Sequence, residues 1–252
     1  MTNDDINRDD LIRRFVDDGT SALLLVGSRA RGDHAPSSDI DLARHVKAEG
    51  TRHPTLYMND ADGRLISLKT FDPASEEEGL MLPGRAVWQA PTLASAVILY
   101  DRDGDAARLV DKARRFDWAD LGAAPDRHVA REVTGYAEET LKIVDGMERG
   151  IESQIIYATM GIVLGLAEAM VVHRRGFIIS ENRLFESALD LMAAHKDWAS
   201  SMRRAAGFGD AGSFDRAAAA LTLYAETVAL VRPLLDEDQC AVAEGALSRR
   251  LL

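Results

Sequence analysis

Residues 24–46 read LLVGSRARGDHAPSSDIDLARHV. An apolar run, ALLLV at 22–26, has the composition of a buried strand and stops at Gly27-Ser28. Ten polar or small residues separate Ser28 from Asp39-Ile40-Asp41-Leu42, where apolar and polar positions alternate as in a second strand. Residues i and i+2 of a strand share a face, so Asp39 and Asp41 are predicted side by side. Two adjacent carboxylates repel each other unless a cation joins them. Mg²⁺ is the natural cation, because it takes one or two carboxylates and completes its shell with substrate phosphates. Gly27 lets backbone come close to a ligand, the Ser28 hydroxyl can donate to a phosphate oxygen, and Arg29 and Arg31 supply charge to match a triphosphate. The combination reads as a site for metal-dependent nucleotidyl transfer.

The flanking sequence supplies the rest of a sheet. Residues 6–16 carry the spacing of an amphipathic helix. Residues 55–58 and 64–71 flank a turn-rich segment, NDADG at 59–63, which predicts a hairpin. Residues 96–100 (AVILY) form another apolar strand, with a helix following to about Arg115. Beyond Trp118 the strand signals vanish, and 127–147, 152–174, 181–195, 214–235 and 239–251 carry helical spacing. The prediction is an α+β chain: a mixed sheet with flanking helices over residues 1–120, then an all-α bundle of four or five helices over 121–252. Residues 155–172 are nearly all apolar but are interrupted by Glu168, which points to a buried bundle helix rather than a membrane span. Gly161 and Gly165 on that helix would admit a close neighbour.

Composition narrows the partners. The single cysteine, Cys240, excludes a disulfide framework and a cysteine-based zinc site, and the N-terminal residues lack the pattern of a secretory signal. A cytoplasmic location is the expectation. With 41 acidic against 30 basic side chains the net charge is −11, which argues against a broad nucleic-acid footprint and suits a small cationic partner.

Gly27-Ser28 and Arg31, followed by Ser38-Asp39-Ile40-Asp41-Leu42, resemble the signature of the polymerase-beta-type nucleotidyltransferase superfamily. Length, segment order and the helical second half look most similar to its aminoglycoside (kanamycin-type) nucleotidyltransferases. The resemblance implies that Asp39 and Asp41 bind Mg²⁺, and that Gly27, Ser28, Arg31 and Ser38 hold ATP or another nucleoside triphosphate. A hydroxyl of a small, cationic, aminoglycoside-like acceptor then attacks the α-phosphorus and expels pyrophosphate, a chemistry associated with antibiotic resistance. Glu138 and Lys142 stand four apart on one predicted helix face. By the same resemblance Glu138 takes the hydroxyl proton, while Lys142 contacts the nucleotide and steadies charge at phosphorus; Glu139 is the alternative base. A homodimer is also implied, with no nucleic-acid or membrane partner. One departure stands out. The superfamily usually carries a third carboxylate on a later strand, whereas 64–71 (RLISLKTF) has none. Ser67 or Lys69 falls at that place, and Asp72 or Asp101 are possible substitutes. Two further functions therefore stay open: modification of a partner protein in an antitoxin-like manner, or nucleotide binding by a catalytically decayed site.

Overall fold

The computed structural model describes residues 6–47 and 55–249. The chain divides into two compact units, Met1–Asp120 and Leu121–Leu252.

The first unit is built on a five-stranded mixed sheet. Helix α1 (Arg8–Phe15) leads into β1 (Thr20–Val26), a single-turn helix α2 (Gly27–Arg31) and β2 (Ile40–Val46). Strands β3 (Leu56–Asn59) and β4 (Leu65–Phe71), helices α3 (Pro73–Gly79) and α4 (Pro83–Ala94), strand β5 (Val97–Asp101) and helix α5 (Asp105–Arg114) complete it. The strand order is β3-β4-β2-β1-β5. All pairings are antiparallel except β2 with β4, which is parallel. Strands β1 and β2 are central and covered on both sides, which explains the unbroken apolar run of β1. Leu23, Leu25, Ile40, Leu42, Ile66 and Leu68 pack on one face with Leu11 and Phe15 of α1. Ala22, Leu24 and Ala43 pack on the other with Ala106 and Val110 of α5.

The predicted strands all appear, with two local differences near the candidate site. The polar linker after Val26 begins as helix α2, and Asp39 lies just before the strand rather than within it. Glu76-Glu77-Glu78, acidic as expected near a helix N-terminus, fall in α3, whereas α4 was not foreseen. Each opens with proline at its first turn, where the missing amide proton has no intrahelical partner to lose.

The second unit contains, among the described residues, seven α-helices where four or five were expected. They are α6 (Ala124–Gly135), α7 (Ala137–Arg149), α8 (Glu152–His173), α9 (Leu184–Leu191), α10 (Lys196–Ala206), α11 (Ser213–Val231) and α12 (Glu237–Arg249). The single helix predicted over 127–147 is two helices meeting at Tyr136. The unforeseen α10 docks on α11 through Trp198, whose indole N–H donates to Thr227 Oγ1 at 2.9 Å. The end of the last predicted helix, residues 250 and 251, lies outside the described residues.

Helix α8 is the apolar segment singled out in the sequence. By length and hydropathy it and residues 213–234 are both long enough to cross a bilayer, but 61% and 50% of their apolar windows are buried inside the fold, as core helices are. The glycines of α8 meet α7 and the Tyr136 junction. A β-carbon on Gly165 would lie 1.7 Å from the Tyr136 hydroxyl, and one on Gly161 would lie 3.4 Å from Glu139 Cγ.

Candidate active site

Strand register decides what stands beside Asp41. It pairs with Val26 at the end of β1 on one side and with Ser67 of β4 on the other. Directly paired residues present their side chains on the same face, so Ser67, and not Lys69, lies beside Asp41. Lys69 pairs with Ala43, two residues further along, and is exposed. Asp101 pairs with Ala22, four residues back along β1 from Val26. At about 3.3 Å per residue that separates it from the Asp41 row by roughly 13 Å. Asp101 also accepts from the amide of Ala107 at 2.9 Å, capping α5, and Asp72 caps α3 through the Ala74 amide at 3.1 Å. Neither stands in the Asp41 row, where the buried β4 residue is Ser67.

Gly27 begins α2 with φ of +72°, in the left-handed region. A β-carbon there would lie 2.5 Å from Asp41 Oδ2. The glycine therefore allows both the turn out of β1 and the approach of backbone to the carboxylate. Ser28 follows in the first turn of α2, and its carbonyl accepts the amides of Gly32 at 2.9 Å and Asp33 at 3.1 Å, which closes the turn.

The two arginines of this segment part company. Arg31 is turned onto Asp33, with N–O distances of 3.2 and 3.3 Å, so an arriving anion would compete with that carboxylate. Arg29 is only 1% exposed. Its Nε donates to the carbonyls of Ser38 (3.2 Å) and Asp39 (3.0 Å), and Nη2 donates to Ser38 (2.8 Å). The sequence suggested a phosphate partner for Arg29; the fold commits these donors to its own backbone. Ser38 is likewise used internally, its hydroxyl accepting from the Ala35 amide at 2.9 Å.

On the helical unit, Glu138 and Lys142 do meet. Lys142 Nζ lies 2.9 Å from Glu138 Oε1 and 2.8 Å from Glu139 Oε1. Hydrogen bonds to Glu139 first and Glu138 second hold the ammonium above its ordinary pKa, so Lys142 stays charged. The carboxylates differ in setting: the Glu138 side chain is 74% exposed and that of Glu139 only 17%. Glu139 Oε2 is buried without a hydrogen-bond partner. Beside it, Tyr136 has its phenol pKa raised, by burial foremost and then by the charges of Glu132, Glu168 and Glu139. Sequence spacing identified the Glu–Lys pair and named Glu139 only as the alternative base; that Glu139 is the more buried of the two carboxylates follows from the packing of α7.

The donor chemistry can be tested against Mg²⁺. Asp39 and Asp41 offer hard oxygen ligands, and among the described residues there is no cluster of three or more acidic, histidine or cysteine side chains suited to a metal. Two carboxylates suit an ion that completes its shell with phosphate oxygens and water, and do not form a protein cage.

The model of the family described as nucleotidyltransferase domain matches residues 9–83, which hold α1 to β4, Gly27-Ser28 and both aspartates, in less than a third of the chain. The crystal structure of a nucleotidyltransferase-like protein from Exiguobacterium sibiricum is similar in fold, with a TM-score of 0.54 at 12% identity over 89% of this chain and 75% of that one. No curated protein matches the sequence. The family match supports nucleotidyl transfer in general, and the structural likeness extends the fold resemblance over both units.

Proposed function

We propose that this protein transfers a nucleoside monophosphate from ATP or another nucleoside triphosphate to a hydroxyl of a small cationic, aminoglycoside-like acceptor. The observation that carries the nucleotide half of this reading is the packing of Gly27 against Asp41, which leaves backbone rather than a side chain beside the carboxylate. Asp39 and Asp41 would hold Mg²⁺, which when bound neutralises phosphate charge. Ser28 donates to a phosphate oxygen from the first turn of α2, and Arg31 exchanges Asp33 for the triphosphate. In the transfer, the acceptor oxygen bonds to the α-phosphorus, the bond from that phosphorus to the β-phosphate oxygen breaks, and pyrophosphate leaves. Glu138 takes the acceptor proton, with Glu139 as the alternative, and Lys142 offsets negative charge developing on the phosphoryl group. The net charge of −11 supports a cationic acceptor. A homodimer belongs to the same reading by the family resemblance, and a cytoplasmic location by the single cysteine.

The reading is tested by pyrophosphate release from ATP and GTP with Mg²⁺ across a panel of aminoglycosides, with calorimetric nucleotide binding alongside. Acceptor-dependent release is expected, and Asp39→Asn and Asp41→Asn should each abolish metal-dependent nucleotide binding. Unchanged binding in both variants would remove the site. The buried Ser67 beside Asp41 favours one second reading, a nucleotide-binding protein with little turnover. Tight binding with no release for any acceptor would select it, or a protein acceptor.

A further inference from the structure

The two carboxylates of the site are held in place by different means. Asp41 sits inside β2 with a hydrogen-bonded strand on each side, so the sheet sets its position. Asp39 stands outside the strand, at the end of a segment of eight residues, 32–39, in which most positions are exposed. That segment has its own turn, closed by the Ser38 amide on the Ala35 carbonyl at 3.0 Å, but the turn does not tie it to the sheet. The tie is Arg29, whose Nε and Nη2 reach across from α2 to the carbonyls of Ser38 and Asp39. These carbonyls belong to the peptide groups on either side of the Asp39 α-carbon. Holding both fixes the direction in which the Asp39 side chain leaves the chain.

We infer that Arg29 is a positioning residue: its buried guanidinium holds Asp39 where it can share a cation with Asp41. The inference rests on the metal-binding reading of the two aspartates given above. Arginine suits the task because its planar fork presents several fixed donors at once, whereas lysine offers a single point charge on a flexible stem. The cost of burying a guanidinium is then met by carbonyl acceptors that a loop of this exposure would otherwise turn to water.

The test uses the full-length protein with Mn²⁺ and ATP together, the protein-held Mn²⁺ being followed by enhancement of water-proton relaxation, which the small Mn²⁺–ATP complex raises little. Arg29→Lys should weaken Mn²⁺ binding by about tenfold. Combined with Asp39→Glu, whose longer side chain no longer depends on a fixed backbone, the same change should cost less than about twofold. No loss in Arg29→Lys, or the full loss repeated in the Asp39→Glu background, would overturn the inference while leaving the metal reading intact. Failure of the wild-type protein to bind Mn²⁺ with ATP would instead bring down the metal reading, and this inference with it. Should Arg29→Lys not fold, Arg29→Gln takes its place in the same cycle. Loss of native circular dichroism in both variants would assign Arg29 to fold stability and overturn the positioning role.

Discussion

Gly27 meets two constraints at once, a left-handed φ of +72° and 2.5 Å of clearance between a β-carbon and Asp41 Oδ2. Alanine there would incur about 1–2 kcal/mol from backbone conformation alone and would also push the carboxylate aside. Gly27→Ala is therefore expected to lower the urea midpoint modestly and to remove most metal-dependent nucleotide affinity, by titration calorimetry. Retained affinity with lowered stability would mean that the approach of Gly27 to Asp41 serves only the turn. On the helical unit the proposed base is tested by Glu138→Gln, expected to reduce kcat by about 10²-fold with nucleotide affinity unchanged. Were Glu139→Gln to carry that loss while Glu138→Gln stayed active, the half-buried carboxylate would be the base.

At the scale of elements, α8 illustrates how an apolar helix becomes the centre of a bundle. Eleven of its residues are buried, and its glycines admit α7 and the ring of Tyr136. On α11, Tyr224 is wholly buried and its hydroxyl has no hydrogen-bond partner. Burial pushes its phenol from 10.0 up to about 12. The folded state thus holds this proton more tightly than the unfolded chain. Its contribution to stability is fully present below pH 10 and is lost as pH rises through about 12. Tyr224→Phe is expected to equal or exceed the parent in stability at pH 7, since an unsatisfied hydroxyl costs about 1–3 kcal/mol, and to flatten the decline above pH 10. Urea midpoints at pH 7, 10 and about 11.5 check both parts, and a large loss at neutral pH would show that the hydroxyl has a structural partner.

For the whole molecule, a charge of −11 acts over a Debye length. Under the proposed function, the KM for a polycationic acceptor should rise several-fold between about 0.02 and 0.3 M salt, with kcat little changed, because screening weakens encounter more than contact chemistry. A salt-independent KM would argue for a neutral acceptor. Sequence alone determined the division of labour along the chain: strands with period-two or continuous apolar character first, amphipathic and apolar helices afterward, and Gly27-Ser28 with Asp39 and Asp41 at the edge between strand and linker. These are local properties, written in side-chain spacing and in the conformational freedom of glycine. Tertiary structure decided what depends on residues distant in sequence. It set Ser67 rather than Lys69 beside Asp41, turned Arg29 inward onto backbone while Arg31 stayed near the surface, and placed Asp101 and Asp72 at helix caps. It also broke one expected helix at Tyr136 and left Glu139 less exposed than Glu138. A strand's register is chosen by which faces its neighbours bury, and a one-residue slip would exchange them. Periodicity within a segment carries no record of that choice, which is why the candidate residues could be named from the sequence and their neighbours could not.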